Sequence, residues 1–163
     1  MGLAPSILFA LQQYRLSLID AKNSYDQLHP IFVSWTLNGY ALWLNQKVAQ
    51  KLGEISEIDN YLLLHQHILD IPLPPNPFEP ANPIEALEEV SRKEVSCSLI
   101  IIDALDLPAL NSDRLSAMFI RDLVDEQTEE EATASELLER SRLFYNGQPP
   151  QWGLMLLNSW LQQ

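Results

Sequence analysis

The fold class of this chain is decided by residues 31–52, which read IFVSWTLNGYALWLNQKVAQKL. On a helical wheel, Ser34, Asn38 and Asn45 form only a thin polar strip, and most of the remaining positions are apolar. A helix that is apolar nearly all round is buried on most sides. The stretch therefore predicts a central helix over residues 31–52. Asn38-Gly39 leaves one alternative open, a turn that splits the helix into two shorter pieces.

Composition favours helix over the rest of the chain as well. Leucine occurs 29 times among the 163 residues, whereas valine and glycine occur five times each. Leucine loses little rotamer freedom in a helix, and sheet proteins use more β-branched residues and more glycine-rich turns. We therefore predict an all-α protein that forms a single compact helical domain.

Prolines, glycines and capping residues divide the chain into about six to seven predicted helices. His29-Pro30 ends the first of them near Tyr25, because the residue before a proline is pushed out of the helical region. Residues 98–103 read SLIIID. We favour a helix there, and a buried strand, which would make the protein α+β, is the alternative. Helical segments are also expected over residues 31–52, 57–71, 84–96, 112–126, 128–146 and 149–163.

A proline-rich segment separates two halves of different character. Six of the twelve residues 72–83 are proline. Each proline fixes φ and removes a hydrogen-bond donor, so this segment is expected to be extended. We predict that it connects an N-terminal helical half, residues 1–71, to an acidic C-terminal helical half, residues 84–163, within one domain over residues 1–163.

The charge of the chain argues against several classes of partner. It has 22 acidic and 10 basic side chains, and its formal net charge is −12. Phosphate binding needs clustered lysine and arginine, so nucleic acid is not expected as a partner, and an anionic membrane surface is disfavoured for the same reason. No apolar run is long enough to span a membrane. We expect a cytoplasmic location.

The histidines and the cysteine form no recognisable chemical motif. Metal centres in helical bundles use Glu-x-x-His pairs, whereas the residues three positions before His65 and His67 are Leu62 and Leu64. Cys97 has apolar neighbours and no adjacent base, which is typical of a buried structural thiol. We therefore predict no catalytic residue, no cofactor and no metal site, and an enzyme is not favoured.

Two adjoining segments near the C-terminus are candidate docking surfaces. Residues 122–139 hold eight acids and no base, a pattern typical of a solvated helix face or of a surface for a basic partner. Residues 143–163 carry no charged side chain and belong either to the core or to an interface. An aromatic residue of the proline-rich segment is a further anchor. The candidate partner-binding residues are Phe78, Glu129, Glu130, Glu131, Phe144, Tyr145, Trp152 and Trp160.

These observations predict a non-enzymatic protein–protein interaction module, such as an acidic adaptor, a secretion-type chaperone or an assembly subunit. Its expected partner is another protein, with a basic surface, or a second copy in a homodimer. One alternative is a helical enzyme or small-ligand-binding protein whose site assembles only in three dimensions. The other is an acidic mimic of nucleic acid that inhibits a basic protein.

Overall fold

The computed structural model describes residues 2–145 and 152–163. Within these residues the protein contains five α-helices, a short 3₁₀ helix at Pro108–Asn111 and no strand. The all-α class is therefore confirmed. The predicted number of six to seven helices is wrong, because several predicted helices are parts of longer ones. The helices are α1 Pro5–Ser34, α2 Asn38–Leu64, α3 Pro83–Ala104, α4 Arg114–Phe144 and α5 Trp152–Leu161.

Helix α1 continues through His29-Pro30, where the sequence predicts its end. Pro30 lacks the N–H that would bond the carbonyl of Asp26, and both residues are exposed. The apolar stripe of α1 meanwhile continues without interruption, and its burial outweighs the lost hydrogen bond. The buried side chains of this stripe are Ile7, Leu11, Tyr14, Leu18, Ala21, Tyr25, Leu28 and Phe32.

The predicted central helix over residues 31–52 is broken in the structure. Helix α1 ends at Ser34 and α2 begins at Asn38, so the break precedes Asn38-Gly39, near the turn of the alternative prediction. Thr36 takes a φ of 60° in this turn. The rings of Phe32 and Tyr40 stack across it with their centroids 5.4 Å apart. The apolar character of the stretch therefore reflects two helix ends that meet in one core.

The sequence also predicts helix ends at positions that lie inside α2, α3 and α4, where the helices of the structure continue. Thr128, which the sequence offers as a helix start, donates its hydroxyl to the carbonyl oxygen of Val124 at 2.7 Å. A threonine bonded to the preceding turn in this way does not cap a new helix. Helix α4, Arg114–Phe144, therefore continues through this position and joins the predicted helices over residues 112–126 and 128–146. Residue 146, the predicted end, lies outside the described residues.

Residues 98–103 belong to α3, as the favoured prediction has it. Ile101 is buried, whereas Leu99 and Ile102 are largely exposed. A helix that packs against the core with one face buries only some of the residues in such an apolar run. The strand alternative, and with it an α+β fold, is thereby excluded for these residues.

The four long helices form a bundle in which α1 packs against α2 and α3, and α3 packs against α4. Contacts between α1 and α3 join Tyr25 to Val90 and Asp20 to Lys93. The residue numbers of the two helices thus run in opposite directions, so α1 and α3 are antiparallel. Because α1 and α2 are also antiparallel, α2 and α3 run parallel to each other.

The segment between α2 and α3, residues 65–82, must therefore return along the bundle, and it does so without a helix. Its first part is held by α1. The side-chain Nε2 of Gln12 donates to the carbonyl oxygen of Ile68 at 2.8 Å, and its Oε1 accepts the backbone N–H of Asp70 at 3.2 Å. The predicted connector, residues 72–83, lies almost wholly within this segment.

Helix α5 docks on the beginning of α2 at Gly39. The N–H of Gly39 donates to Asn158 Oδ1 at 2.7 Å, and a Cβ on residue 39 would lie 2.0 Å from the carbonyl oxygen of Asn158. A backbone atom cannot swing aside as a flexible side chain can. We therefore expect Gly39→Ala to displace α5, to lower the free energy of unfolding by about 1–3 kcal/mol and to speed proteolysis of the C-terminal segment.

Gly53→Ala on the same helix is the matched control. A Cβ on residue 53 meets nothing within 4 Å. Alanine has a higher helix propensity than glycine, so this variant is expected to gain about 0.5–1 kcal/mol of stability with no change in proteolysis. Equal effects of the two substitutions in urea unfolding would show that α5 does not dock through Gly39.

Candidate functional site

The centre of the four-helix bundle is polar. All four long helices place charged, amide or phenol side chains there, at positions that carry apolar residues elsewhere along the same helices. These side chains form the central polar cluster, and none of its residues is more than 9% exposed. The members are Tyr14 and Tyr25 of α1, Lys47, Lys51 and Glu54 of α2, Glu94 of α3, and Gln127 and Glu130 of α4.

The ammonium group of Lys51 lies in the middle of this cluster. Its Nζ donates to Glu94 Oε2 at 2.9 Å and to Gln127 Oε1 at 3.0 Å, and it makes a close hydrogen bond to Glu130 Oε2. An ammonium has three protons, so each of them has an oxygen partner on α3 or α4. Burial alone would lower the pKa of Lys51, but Glu94 and Glu130 raise it above its ordinary value. Lys51 is therefore held as a fully buried cation.

The carboxylate of Glu94 is the main acceptor of the cluster. Its Oε1 accepts the Tyr25 hydroxyl at 2.6 Å and lies 3.2 Å from Lys47 Nζ. Its Oε2 accepts from Lys51 and, at 2.8 Å, from Gln127 Nε2. Burial would raise the pKa of Glu94, but Lys51 and Lys47 hold it below its ordinary value. Four donors thus surround a buried anion and occupy its acceptor positions.

Lys47 lies one turn before Lys51 and is held differently. Its Nζ donates to the carbonyl oxygen of Glu130 at 3.2 Å and lies 5.7 Å from the ring centroid of Trp43. Burial lowers the pKa of Lys47 below its ordinary value, although Glu94 opposes that shift. Lys47 therefore holds its charge less firmly than Lys51 does.

Glu54 is the neutral member of the cluster at pH 7. Its Oε2 accepts the Tyr14 hydroxyl at 3.3 Å. Burial first, and the hydrogen bond with Glu130 second, raise the pKa of Glu54 to about 9. A protonated carboxyl can donate to a neighbouring carboxylate. The two lysines of the cluster are then balanced by two carboxylates, those of Glu94 and Glu130.

The sequence carries a signal for this cluster in its spacing. On α2, Lys47, Lys51 and Glu54 continue the steps of three and four residues on which the buried Tyr40 and Leu44 lie. Core spacing normally selects apolar residues, so a charged residue in that register indicates a buried charge. Because three helices carry polar or charged residues at core positions, these side chains are expected to meet inside the bundle. The corresponding residues on the other two helices are Glu94, Gln127 and Glu130.

The central polar cluster does not fit a resident metal ion. Di-metal centres in four-helix bundles take a carboxylate from each of two helices and a Glu-x-x-His pair from each of the other two. No histidine of this chain has a glutamate three residues before it, and Lys51 places an ammonium group between the carboxylates of Glu94 and Glu130. Over residues 2–145 and 152–163, no three or more His, Cys, Asp or Glu side chains are arranged to hold a metal.

The histidines near the end of α2 lie outside the cluster. The His65 ring contacts the Tyr61 ring, with the centroids 4.7 Å apart. His67 Nε2 accepts the backbone N–H of Leu3 at 3.3 Å and so holds the start of the chain. Tyr61 in turn hydrogen-bonds to Ser116 at 2.7 Å. His65 and His67 therefore lie in different surroundings. Their spacing of two residues indicates this, because residues two apart do not face the same direction.

An open groove of about 700 Å³ runs beside the cluster between α2, α4 and α5. The buried Glu54 and Glu130 line it together with three exposed glutamates, Glu57, Glu126 and Glu129. Burial and the charge of Glu57 raise the pKa of Glu126. Six glutamates line the groove against two basic side chains, Lys47 and Arg140. The groove is therefore acidic, and its potential attracts cations.

The predicted acidic docking residues do not form one face. Glu129 is exposed beside the groove, Glu130 is buried and bonded to Lys51, and Glu131 is half-buried. Consecutive residues of a helix point in different directions, so a block of acids along the sequence does not become a block on the surface.

The predicted aromatic docking residues lie at separate places. Phe144 is 44% exposed at the end of α4, and Trp160 is 55% exposed on α5. Tyr145 is half-buried after α4, and Phe78 is half-buried against the core. The side chain of Trp152 lies outside the described residues. A role of these residues in partner binding stays a prediction.

Glu54→Gln is expected to stabilise the protein increasingly as the pH rises. The folded-state pKa of Glu54, about 9, lies above the ordinary carboxyl value. The contribution of this group is therefore fully present below the unfolded pKa and is lost as the pH rises through the folded one. Glutamine mimics the protonated form at every pH, so its advantage should reach about 1–3 kcal/mol near pH 9. Thermal unfolding at pH 5, 7 and 9 measures it.

Glu139→Gln serves as the control for this pH series, because residue 139 is exposed. Its effect on stability is expected to stay within about 0.5 kcal/mol at all three pH values. A Glu54→Gln variant that is less stable than the natural protein at pH 9 would show that the ionised form of Glu54 supports the fold.

Comparison with known proteins gives a consistent result. A model of the family Ferritin, described as a ferritin-like domain, matches residues 10–144. Two curated relatives, bacterial non-heme ferritins of Bacteroides fragilis strains 638R and YCH46, are each 24% identical over 121 residues, which is 74% of this chain and 76% of theirs.

Solved structures show the same fold. The Archaeoglobus fulgidus ferritin engineered into a closed form by site-directed mutagenesis has a TM-score of 0.85 and 23% identity, covering 98% of this chain and 96% of that one. The open-pore ferritin of this hyperthermophilic archaeon has the same score and identity, covering 98% of both chains. At this identity the likeness shows the fold, a ferritin-like four-helix bundle.

These comparisons show that the function predicted from the sequence is wrong. A family match over residues 10–144 points to iron storage or oxidation, and not to an acidic adaptor, a secretion-type chaperone or an assembly subunit. The prediction fails because it takes the largely exposed acids of residues 122–139 for a docking surface and overlooks the buried acid among them. In the structure they are one stretch of a long bundle helix, and Glu130 within them faces the interior.

Proposed function

Because this chain belongs to the ferritin family, we propose that it assembles with copies of itself and stores iron in that assembly. The observation that carries the proposal is the family match over residues 10–144, which includes most of α1 and the whole of α2, α3 and α4. The curated relatives bear the name bacterial non-heme ferritin. Iron is in this proposal the cargo of the assembly and not a cofactor within the bundle.

Exposed apolar side chains support self-assembly. They are grouped near the end of α2 and in the segment that follows it, with one near the start of α1. Monomeric proteins rarely expose contiguous apolar patches larger than roughly a few hundred Å². We propose that further copies of the chain cover these residues, in place of the basic partner predicted from the acidic block. The residues, each 54–90% exposed, are Phe9, Leu63, Leu64, Ile68, Ile71 and Leu73.

The central polar cluster limits how the chain handles iron. Lys51, Glu94 and Glu130 satisfy one another inside the bundle, so we do not assign the oxidation of ferrous iron to that place. The acidic groove between α2, α4 and α5 attracts cations through its charge. This supports a protein that gathers iron at its surfaces.

Assembly and iron uptake can be measured on one preparation. Native mass spectrometry gives the number of chains per particle, and iron is then added as ferrous sulfate in air. After desalting, elemental analysis is expected to find iron that elutes with the oligomer in large excess over one atom per chain. A chain that stays monomeric and retains no iron would contradict the proposal.

Glu54→Gln is the matched variant for this experiment. It removes a carboxyl group that faces both the bundle centre and the groove, and it keeps the hydrogen-bonding shape of the protonated form. Because Glu54 is neutral at pH 7, the negative charge that the exposed glutamates give the groove is unchanged in this variant. If iron is handled outside the bundle, the rate of iron oxidation and the amount retained are expected to match those of the natural chain. A large loss of oxidation rate in this variant would place the chemistry at the bundle centre.

We propose a cytoplasmic location for the chain. Cys97 is its single cysteine, and it is buried, so the fold does not draw on an oxidising compartment for disulfides. Among residues 2–145 and 152–163, no helix has the length and apolarity that crossing a membrane requires.

A further inference from the structure

Three oxygen atoms from two helices converge on one cation at the bundle centre. Glu94 Oε2 and Gln127 Oε1 lie 2.9 and 3.0 Å from Lys51 Nζ, and Glu130 Oε2 is closer still. Nζ is enclosed by protein, since Lys51 is 0% exposed. Two carboxylates and an amide oxygen around a point charge are the ligands that hard divalent cations take in proteins.

We propose that the ammonium of Lys51 permanently fills the cation position of this bundle, so that the chain holds no metal ion there, and that the same oxygen atoms bind a divalent cation once the ammonium is removed. The lysine is covalently part of α2 and cannot dissociate. A metal ion would have to displace it from three hydrogen bonds and leave its charge buried. The inference concerns the bundle centre alone and holds whether or not the chain stores iron.

The charges around Lys51 explain why its removal opens a site. Glu94 and Glu130 are both bonded to Lys51, and Lys47 is the remaining lysine near them. Without Lys51 the two carboxylates face one ammonium group, and an alanine at residue 51 leaves a cavity where Nζ was. An uncompensated buried carboxylate is costly, so a cation in that cavity relieves both the charge and the lost contacts.

Manganese binding to purified full-length chains tests the proposal. Each protein is incubated with Mn²⁺ and desalted, and the bound metal is counted by elemental analysis and by electron paramagnetic resonance. The natural chain supplies the background from its acidic surfaces. We expect Lys51→Ala to retain about one additional Mn²⁺ per chain, and Mn²⁺ to raise its melting temperature more than that of the natural chain.

Two controls tie the binding to the bundle centre. Lys47→Met removes the other buried lysine and leaves Lys51 in place, so it is expected to retain no more Mn²⁺ than the natural chain. The double variant Lys51→Ala with Glu94→Gln removes a ligand, so its affinity is expected to fall by at least about tenfold relative to Lys51→Ala. Equal binding by Lys51→Ala and this double variant would overturn the proposal.

Two further outcomes also decide the matter. If the natural chain itself retains one Mn²⁺ that Glu94→Gln abolishes, then Lys51 does not fill the position and the proposal is wrong. If Lys51→Ala does not fold without metal, its refolding is followed by circular dichroism with and without Mn²⁺. Helix recovered only with Mn²⁺ supports the proposal, and no recovery with Mn²⁺ overturns it.

Discussion

Replacing Lys51 with methionine is expected to lower the free energy of unfolding by about 3–5 kcal/mol. Most of this loss arises because the buried carboxylates that bind Lys51 are left without their cationic partner. Glu94 is 0% exposed, and it would lose the donor 2.9 Å from its Oε2, while Glu130 would lose its close partner. Removing one member of a buried ion pair leaves the other as an uncompensated charge. Urea unfolding followed by circular dichroism measures the effect.

Lys22→Met is the matched control for this substitution. Lys22 also belongs to a bundle helix and pairs with a carboxylate, Asp26, but the side chains are 27% and 48% exposed. A surface pair of this kind contributes at most about 0.5 kcal/mol, so the control is expected to unfold almost as the natural chain does. Similar small losses for both variants would mean that Lys51 is not the charged centre of the bundle.

Glu94→Gln is expected to be nearly as damaging, at about 3–5 kcal/mol. The amide retains the volume of the carboxyl group but loses the charge that two lysines share. One of its atoms becomes a donor, where the carboxylate accepts from Tyr25 and Lys47 on one oxygen and from Lys51 and Gln127 on the other. The amide N–H groups of the variant therefore face other hydrogen-bond donors. Urea unfolding at pH 7 measures the loss of stability.

The pH dependence of this variant identifies its cause. The pKa of Glu94 lies below its ordinary value in the folded chain, so the stability it contributes is present above the unfolded pKa and is lost as the pH falls through the folded one. The difference in the free energy of unfolding between the natural chain and Glu94→Gln should therefore become smaller at acidic pH. Glu88→Gln on the same helix, where Glu88 and Arg142 are both about half exposed, is expected to cost less than about 0.5 kcal/mol. A pH-independent defect in Glu94→Gln would indicate a packing error and not a lost charge.

Combining the two substitutions separates pairing from packing. If Lys51 and Glu94 act on each other, the double variant Lys51→Met with Glu94→Gln should lose less stability than the sum of the single losses. Each single variant strands a charge that the double variant removes. Strict additivity would show that the two residues support the fold independently.

Sequence reasoning reached the fold class through leucine content and apolar periodicity, but it divided the helices wrongly. Pro30 and Thr128 are sound local signals for a helix end or start. In this protein the apolar stripe of each helix runs past them, and burial of a continuous stripe outweighs one local signal. Over residues 31–52 the error is the reverse, since one helix is predicted where the structure has two. The ends of two helices that pack in one core have the same apolar pattern as a single buried helix.

The central polar cluster could have been found from the sequence, but not its geometry. Lys47, Lys51 and Glu54 stand in core register on α2, and a search for histidine-based motifs passes over them. That Glu94 and Glu130 meet Lys51 depends on the relative rotation and height of three helices. Spacing along one helix cannot supply those quantities, so the site required the structure.

The structure joins a ferritin-like bundle to an unusual centre. The fold and the family match place the chain in the ferritin family, whereas the bundle centre carries its own cation in Lys51. Separate roles follow for the two parts in our proposal: the assembly of chains holds iron, and the centre of each bundle holds the four helices together.

The most direct test is a crystal of the natural chain grown with Mn²⁺ and measured with anomalous scattering. Our account predicts continuous density for Lys51 reaching Glu94, Gln127 and Glu130, and no anomalous peak among them. An anomalous peak between Glu94 and Glu130, with the Lys51 side chain displaced, would contradict it.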